Sequence, residues 1–348
     1  MEDIIMRVKA FALIVLAAAS VGALNALPAI SDSVDVKIDE WMTPSKPAYP
    51  HDPAVAPDGS VWYTAQRAST IGRFDPATEQ FKEFALPTPN SGPHGLQADK
   101  DGNIWYTGNA AGLIGKVDAK TGKVTEYKMP NPKAKDPHTI AFLRDGRIFF
   151  TVQGGNFIGT LDPKAPNGAI KLVESPTVNS RPYGVRLDSK GTPFFDEFNS
   201  NKIASADPAT LIIREYTLPN KDARPRRIAI AKDDTVWYGD YGRGYLGHLD
   251  PKTGKVEEFP SPGGPEARPY AIDVTADGAV WYVETGDDAK NMLVRFNPET
   301  KKFLTWPIPS GGGTVRNMEI DKKGDIWLAE SGVGKIARVR ITSGKGTH

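Results

Sequence analysis

Apolar and polar residues alternate along most of this chain in runs of about five or six residues. Each run is stopped by a cluster of Gly, Pro, Asp or Asn. The stretch Gly92–Pro130 shows the unit. An alternating run opens at His94 and stops at Asp101-Gly102, a hairpin signal. Asn103–Thr107 follows and carries Trp105 and Tyr106. Leu113–Val117 ends at the turn Asp118–Gly122, and Lys123–Met129 alternates up to Pro130. The pattern predicts four short β-strands. One such sheet cannot bury both faces alone, so it needs copies of itself as neighbours.

The copies are present. The second-strand aromatic recurs at Trp62, Trp105, Phe149, Phe194, Trp237, Trp281 and Trp327, at steps of 43–46 residues. The residue opening the first strand recurs in step as His51, His94, His138, Tyr183, Arg226, Tyr270 and Arg316. The fourth strand returns as an acid–aromatic pair, as in Glu83-Phe84, Glu126-Tyr127, Glu215-Tyr216 and Glu258-Phe259. Four strands at a period of about 40–45 residues predict a β-propeller, here all-β with seven four-stranded blades. The last copy lacks its fourth strand. Asp35–Pro44 carries the missing pattern, with Glu40-Trp41 as the acid–aromatic pair. The N-terminal strand is therefore expected to complete blade seven and close the ring, which removes exposed sheet edges. The propeller is expected to span 35–341, followed by a polar tail over 342–348. The strand-two aromatics are expected between blades. The Ile-Gly pairs Ile71-Gly72, Ile114-Gly115 and Ile158-Gly159 are expected where adjacent sheets approach closely.

Ahead of the ring, Arg7 and Lys9 precede the apolar run Ala10–Ala23, with small residues after it. The run is shorter than the ~20 residues a membrane span needs. Residues 1–26 therefore read as a secretory signal peptide, and the mature chain is expected to be exported to a bacterial periplasm or the medium, without a membrane anchor. The net charge of +1 gives no pointer to nucleic acid. The absence of cysteine excludes a disulfide scaffold, thiol chemistry and thiolate zinc sites. A monomer is expected.

The distribution of polar residues over the blades is uneven. Blades one to three open with Pro50-His51, Pro93-His94 and Pro137-His138, whereas blades four to seven have Tyr183, Arg226, Tyr270 and Arg316. Three residues past the aromatic, blades four to seven carry Glu197, Asp240, Glu284 and Glu330, and blades one to three carry Ala65, Gly108 and Val152, each followed by an amide, Gln66, Asn109 or Gln153. The start of strand one and the end of strand two share a rim. All these positions are expected around one mouth of the central channel, a histidine–amide half facing an acid half. The bland alternative is a solvated rim with structural ion pairs worth little.

Neutral histidine is suited to proton abstraction near pH 7. Acids around a channel can hold Mg²⁺ or Ca²⁺ through oxygens. Together they suit elimination next to a carbonyl. Histidine with tyrosine and arginine also suits elimination from a uronic acid, with arginine neutralising the carboxylate. A lactonase using metal-bound water and a non-catalytic propeller holding a small molecule, peptide or glycan at its mouth are further readings. No G-x-S-x-G, P-loop or dinucleotide fingerprint occurs, and no organic cofactor is expected.

The repeat motifs are P-H-G-[IL] at Pro93–Leu96, D-G-x-[IL]-W-[FY]-T at Asp101–Thr107, I-G-[RK] at Ile71–Arg73 and E-[FY]-x-[LM]-P at Glu83–Pro87. They resemble the streptogramin B lyase (virginiamycin B lyase) family over about 35–341. The resemblance implies a seven-bladed propeller and a carbon–oxygen lyase that opens a cyclic depsipeptide by elimination, with a histidine base and Mg²⁺. The family places its histidines in blades six and seven, where this chain has Tyr270 and Arg316, with Thr314 in place of an acid and Glu330 as the acid retained. In a rotated register, Pro93-His94 and Asp136-Pro137-His138 supply the histidines and the first acid, with Gln153 at the second acid's position. The resemblance then implies His138 as base, His94 orienting substrate and Asp136 holding a cation. The candidate site is thus His138, His94 and His51 for catalysis, Tyr183, Arg226, Tyr270, Arg316 and Gln153 for substrate, and Asp136, Glu284 and Glu330 for metal.

Overall fold

The computed structural model describes residues 30–286 and 290–343. The leader expected over 1–26, and the tail beyond Ser343, lie outside the described residues. Blade one uses Pro50–Val55, Val61–Ala65, Thr70–Asp75 and Gln80–Ala85 as four consecutive antiparallel strands. The same order repeats around the ring in seven four-stranded sheets. Blade seven takes Val315–Ile320, Ile326–Glu330 and Lys335–Ser343 from the end of the chain and Val34–Met42 from its start. These two outer strands pair antiparallel from Val34↔Ser343 to Met42↔Lys335. The expected ring closure is therefore observed, with the last strand running two residues past Ile341. Among the described residues, no helix is long and apolar enough to cross a membrane.

The strand-two aromatics fill the wedges between blades. Trp62 packs with Ile104 and Tyr106 of blade two, and Trp327 packs with Tyr63 and Phe74 of blade one across the seam. Trp281, Phe149 and Trp62 are almost completely buried.

The Ile-Gly pairs have a reason different from the one expected. A Cβ on Gly72 or Gly115 would overlap the ring of Tyr63 or Tyr106 from the neighbouring strand of the same blade. The tyrosine lies across the glycine to reach the fourth strand, where Tyr63 Oη donates to Glu83 at 3.0 Å and Tyr106 Oη to Glu126 at 2.9 Å. The register places Tyr63 opposite Gly72 and Gly72 opposite Glu83. The glycine and the acid of the fourth-strand motif are thus one intra-blade device, rather than a contact between sheets.

One irregularity positions the site. In every first strand the register slips by one residue at the mouth, as between Pro50 and Pro53 or Pro137 and Ile140. Two residues on strand one, such as His51-Asp52, face one on strand two, Thr64. A bulge of this kind re-aims side chains that strict alternation would send to opposite faces.

Candidate active site at the channel mouth

The seven first-strand residues surround the axis, and from His51 to Arg316 each lies against the next. The ring centroids of His51 and His94 are 3.6 Å apart, those of His94 and His138 are 3.9 Å apart, and His138 and Tyr183 are 3.6 Å apart. Arg226 continues the ring. Its guanidinium sits 3.9 Å from the centroid of Tyr270 and donates to Tyr183 Oη from Nε and Nη2 at 3.2 and 3.1 Å. Tyr183 and Tyr270 share a hydrogen bond between their hydroxyls. Arg316 lies 6.0 Å from the centroid of Tyr270 and donates to Tyr49 Oη. The outer side of this ring is the floor of a cavity of about 310 Å³, lined also by Gln66, Arg67, Asn109, Asp136 and Gln153.

The bulge adds a second tier beneath the ring, and Arg227 is its centre. From blade five, Arg227 Nη2 donates to Asp52 Oδ1 of blade one at 2.7 Å, and Nη1 to Thr139 Oγ1 of blade three at 3.2 Å. Arg227 and Asp52 are 2% and 1% exposed, so the ion pair is fully desolvated. A third set of contacts locks the histidines' backbone. Thr64 Oγ1 donates to the His94 carbonyl at 3.0 Å and Thr107 Oγ1 to that of His138 at 2.9 Å, while each hydroxyl accepts from an amide of its own blade's bulge.

This network assigns ring tautomers. His51 Nδ1 lies 2.8 Å from Asp52 Oδ1. A carboxylate only accepts, so His51 carries its proton on Nδ1 and leaves a lone pair on Nε2. Thr139 Oγ1 accepts from Arg227 and lies 2.9 Å from His138 Nδ1, to which its hydroxyl can donate or from which it can accept. Where the hydroxyl donates, His138 carries its proton on Nε2. His94 sits between them with a buried Nδ1 that has no partner. Burial holds all three imidazoles well below their usual range, and Arg227 and Arg316 add to the effect on His51 and His94. For His138, burial leads, followed by His94 and Arg227. All three are neutral bases at pH 7. Burial pushes the Asp136 carboxyl up to about 6, against a hydrogen bond from Asn109. Burial also raises the Tyr183 phenol. For Tyr270 it is outweighed by Arg226, Arg316 and Arg227, which pull that phenol down.

The structure brings His51, His94, His138, Tyr183, Arg226, Arg316, Gln153 and Asp136 to one cavity. Tyr270 lies against them in the ring. Glu284 and Glu330 are not brought there. Their position on strand two faces the preceding blade. Glu284 Oε1 accepts from Ser261 Oγ at 2.7 Å and the Gly263 amide at 2.8 Å. Glu330 meets Ser310 and Glu40 at the closing seam. Glu197 likewise accepts from Ser180 Oγ at 2.9 Å. The acid half of the rim is therefore a set of blade-to-loop anchors, because alternation along strand two turns these carboxylates away from the axis.

Asp52, Thr139 and Arg227 were not among the sequence candidates. Each directly follows a ring residue, and reading alternate positions passes over them. His51, Asp52 and His94 each offer a ligand atom within 4.8 Å of the others and could chelate a divalent metal. Two imidazole nitrogens and one carboxylate oxygen suit a first-row ion such as Zn²⁺. Mg²⁺ and Ca²⁺ take mostly oxygen ligands, and the one oxygen here already accepts from His51 and from a guanidinium. The residues present do not fit Mg²⁺.

Comparison with known proteins gives this arrangement a family. The chain is similar to "Streptogramin B lyase structure", with a TM-score of 0.79, 28% identity and coverage of 88% of this chain and 98% of that one. It is similar to a catalytically inactive virginiamycin B lyase from Staphylococcus aureus solved with quinupristin, with a TM-score of 0.78, 27% identity and coverage of 88% and 99%. A curated virginiamycin B lyase from Nocardia farcinica (strain IFM 10152) is 34% identical over 103 residues, 30% of this chain and 36% of that protein. The aligned part thus spans about a third of that relative's length. Residues 29–289 and 163–347 each match the Virginiamycin B lyase family. Motifs, ring topology and these matches agree, and the chain belongs to the virginiamycin B lyase family.

Proposed function

We propose that this chain is an exported, lyase-like propeller that opens a carbon–oxygen bond of an ester or lactone by elimination at the arc formed by blades one to three. The observation that carries the reading is the Asp52–His51 pair. Asp52 is fixed by Arg227 and fixes His51 in turn, so that the free lone pair is on Nε2 at the cavity wall. The resemblance alone placed the base on His138, but the hydrogen bonds favour His51. His51 Nε2 takes the proton α to the carbonyl. The C–H electron pair becomes the C=C bond, the C–O bond breaks with its pair, and the proton held on His51 is available to the leaving oxygen. His138 Nε2–H donates a hydrogen bond to the developing oxyanion. No step requires a metal. The ligand at the mouth is a small molecule, peptide or glycan.

Two measurements test the reading. Turnover of a panel of cyclic depsipeptides, lactones and uronides is followed as near-ultraviolet absorbance of the unsaturated product. His51→Gln is expected to lower turnover by about 10²-fold or more, and His138→Gln by less. Full activity in His51→Gln would end the assignment. Acid release without new absorbance would make the chain a lactonase. A ligand that raises the melting temperature without turnover would favour the second reading, a binding propeller. That reading draws on the tight packing of the ring, whose histidines are only 1–4% exposed.

A melt with EDTA, followed by millimolar Mg²⁺ or Ca²⁺, tests the donor set. The melting temperature is expected to stay within about 1 °C throughout. A larger rise with Mg²⁺ would place an oxygen-ligand site in the chain and restore the metal-assisted form of the mechanism.

A further inference from the structure

The wall of the cavity opposite the histidines is cationic, and its charge has no ion-pair partner. Arg226 and Arg316 both line the cavity. Among the described residues, no carboxylate lies within ion-pairing distance of either guanidinium, although Arg227 beneath them and Arg243 nearby are both paired with acids. Arg226 instead sits in a cage of four aromatic rings, with Tyr270 at 3.9 Å, Tyr241 at 4.5 Å, Phe198 at 4.6 Å and Tyr183 at 5.2 Å from its guanidinium carbon. Arg316 is 5.1 Å from the centroid of Tyr49, whose ring also carries Arg67 at 4.0 Å. Aromatic faces hold a cation in place while leaving its N–H edge for an acceptor. Buried charge without a partner is costly, and here two such charges share one wall.

The one acid at the cavity is not paired with this wall. Asp136 is the single carboxylate of the lining; burial raises it to about 6, Asn109 donates to it, and it makes no ion pair with Arg226 or Arg316. Three guanidiniums, three neutral imidazoles and two amides make up most of the remaining polar lining.

We infer that Arg226 and Arg316, positioned by Tyr183 and Tyr49, form a subsite for a carboxylate, and that the chain's natural ligand is an organic acid. The inference deepens the elimination reading and rests on it for the identity of the reacting arc. In that setting the carboxylate sits on the arginine wall, and its α-carbon faces the histidines. Neutralising the carboxylate makes the α-proton easier to remove. The substrate class is then a carboxylate with an oxygen leaving group on the β-carbon, as in a uronate.

The test is calorimetric titration of the full chain with D-galacturonate and with D-galactose, its neutral counterpart. Galacturonate is expected to bind and galactose not. Arg316→Gln is expected to weaken galacturonate binding by about tenfold or more, and Arg316→Lys by less, because the planar fork is lost while the charge is kept. Tyr49→Phe is a second variant that removes only the anchor of Arg316, so it keeps the test open if the arginine variants fold poorly. Equal binding of the two sugars, or galacturonate binding unchanged in both Arg316→Gln and Tyr49→Phe, would overturn the subsite. Sodium sulfate competing as strongly as galacturonate would overturn carboxylate selectivity. Binding without turnover of 4-O-acetyl-D-galacturonate, which carries an ester oxygen on the β-carbon, would leave the subsite standing and count against elimination. Turnover of neutral lactones without galacturonate binding would do the reverse.

Discussion

An Arg227→Met protein is expected to unfold about 3–5 kcal/mol more easily than the parent chain. Arg227 is one residue in one blade, but its guanidinium joins blade five to Asp52 of blade one and Thr139 of blade three. Removing it leaves the Asp52 carboxylate buried with His51 Nδ1 as its remaining side-chain partner. The cost comes mainly from that stranded charge, and less from the loss of attraction, because both ions were desolvated to form the pair. Arg227 also has a positive φ of 62°, which a non-glycine residue holds at a cost of order 1 kcal/mol. The surrounding structure therefore holds this side chain in place against a local preference. Urea unfolding checks the expectation, and Asp52→Asn in the Arg227→Met background is expected to restore much of the loss by removing the unpaired charge. A single-variant loss below about 1 kcal/mol would show that water reaches Asp52 and that the tier is not the brace it is taken for here.

The same tier marks the limit of what the sequence discloses. The blade count, the ring closure by Val34–Met42 and the common rim of His51, His94 and His138 follow from period and alternation, because each repeat sets its neighbours' geometry. The one-residue slip in strand one is invisible to a period-two pattern. It is a backbone event with no common residue signature: blades two and four place glycines there, Gly95 and Gly184, and the other blades do not. Once it is present, Asp52, Thr139 and Arg227 join the site. The misplacement of Glu284 and Glu330 has a related cause. Being at the end of strand two puts a residue on the correct rim, but parity decides which face it takes. Thr64 and its equivalents hold the parity that reaches the next blade's mouth residue, and the acids one position on face the preceding blade. In blade four Asp196 takes the threonine's place, accepting from the Gly184 amide at 2.9 Å. Its other oxygen is buried without a partner, and burial pushes the carboxyl up to about 8.

Family membership and site placement diverge for a physical reason. A closed ring of similar blades has no fixed first member, and this chain matches the family over two overlapping spans. The blades six and seven that the resemblance singles out carry Tyr270 and Arg316, which here belong to the cationic wall. The histidines stand on the opposite arc. The two halves of the mouth are complementary in chemistry, one offering neutral bases and the other fixed positive charge, and in the proposed reaction a substrate spanning the mouth would touch both.

The thermal stability of the chain is expected to fall by of order a few kcal/mol as pH rises from about 6.5 through 8. The alkaline limb belongs to buried acids. Burial, with Glu40 beside it, raises Glu330 to about 8; burial raises Asp196 to about 8 and Glu319 to about 7. Each folded carboxyl holds a proton that the unfolded chain has already lost above its ordinary value near 4 to 4.5. Their stabilisation is therefore complete below that value and is lost as pH passes the folded pKa. Below 6.5 the three histidines act in the opposite sense. Their folded pKa values are depressed, so the unfolded chain takes up protons there that the folded chain refuses, and stability drops toward acid. Below 6.5 the imidazoles offset part of the carboxyls' slope, to which Asp136, raised to about 6, and the raised Glu197 and Asp273 also contribute; above 6.5 the imidazoles no longer oppose it and the carboxyls set the slope. Glu330→Gln separates the contributions. The amide keeps a neutral donor between Ser310 and Glu40 and cannot ionise. This variant is expected to melt higher than the parent at pH 9 and about equally at pH 6. Melting curves at half-unit steps from pH 5 to 9 measure both. A profile that is flat from 6.5 to 9 in the parent chain, or a Glu330→Gln profile that falls as steeply as the parent's, would mean that Glu330 ionises freely and that the seam between Val34–Met42 and the last blade tolerates two adjacent carboxylates.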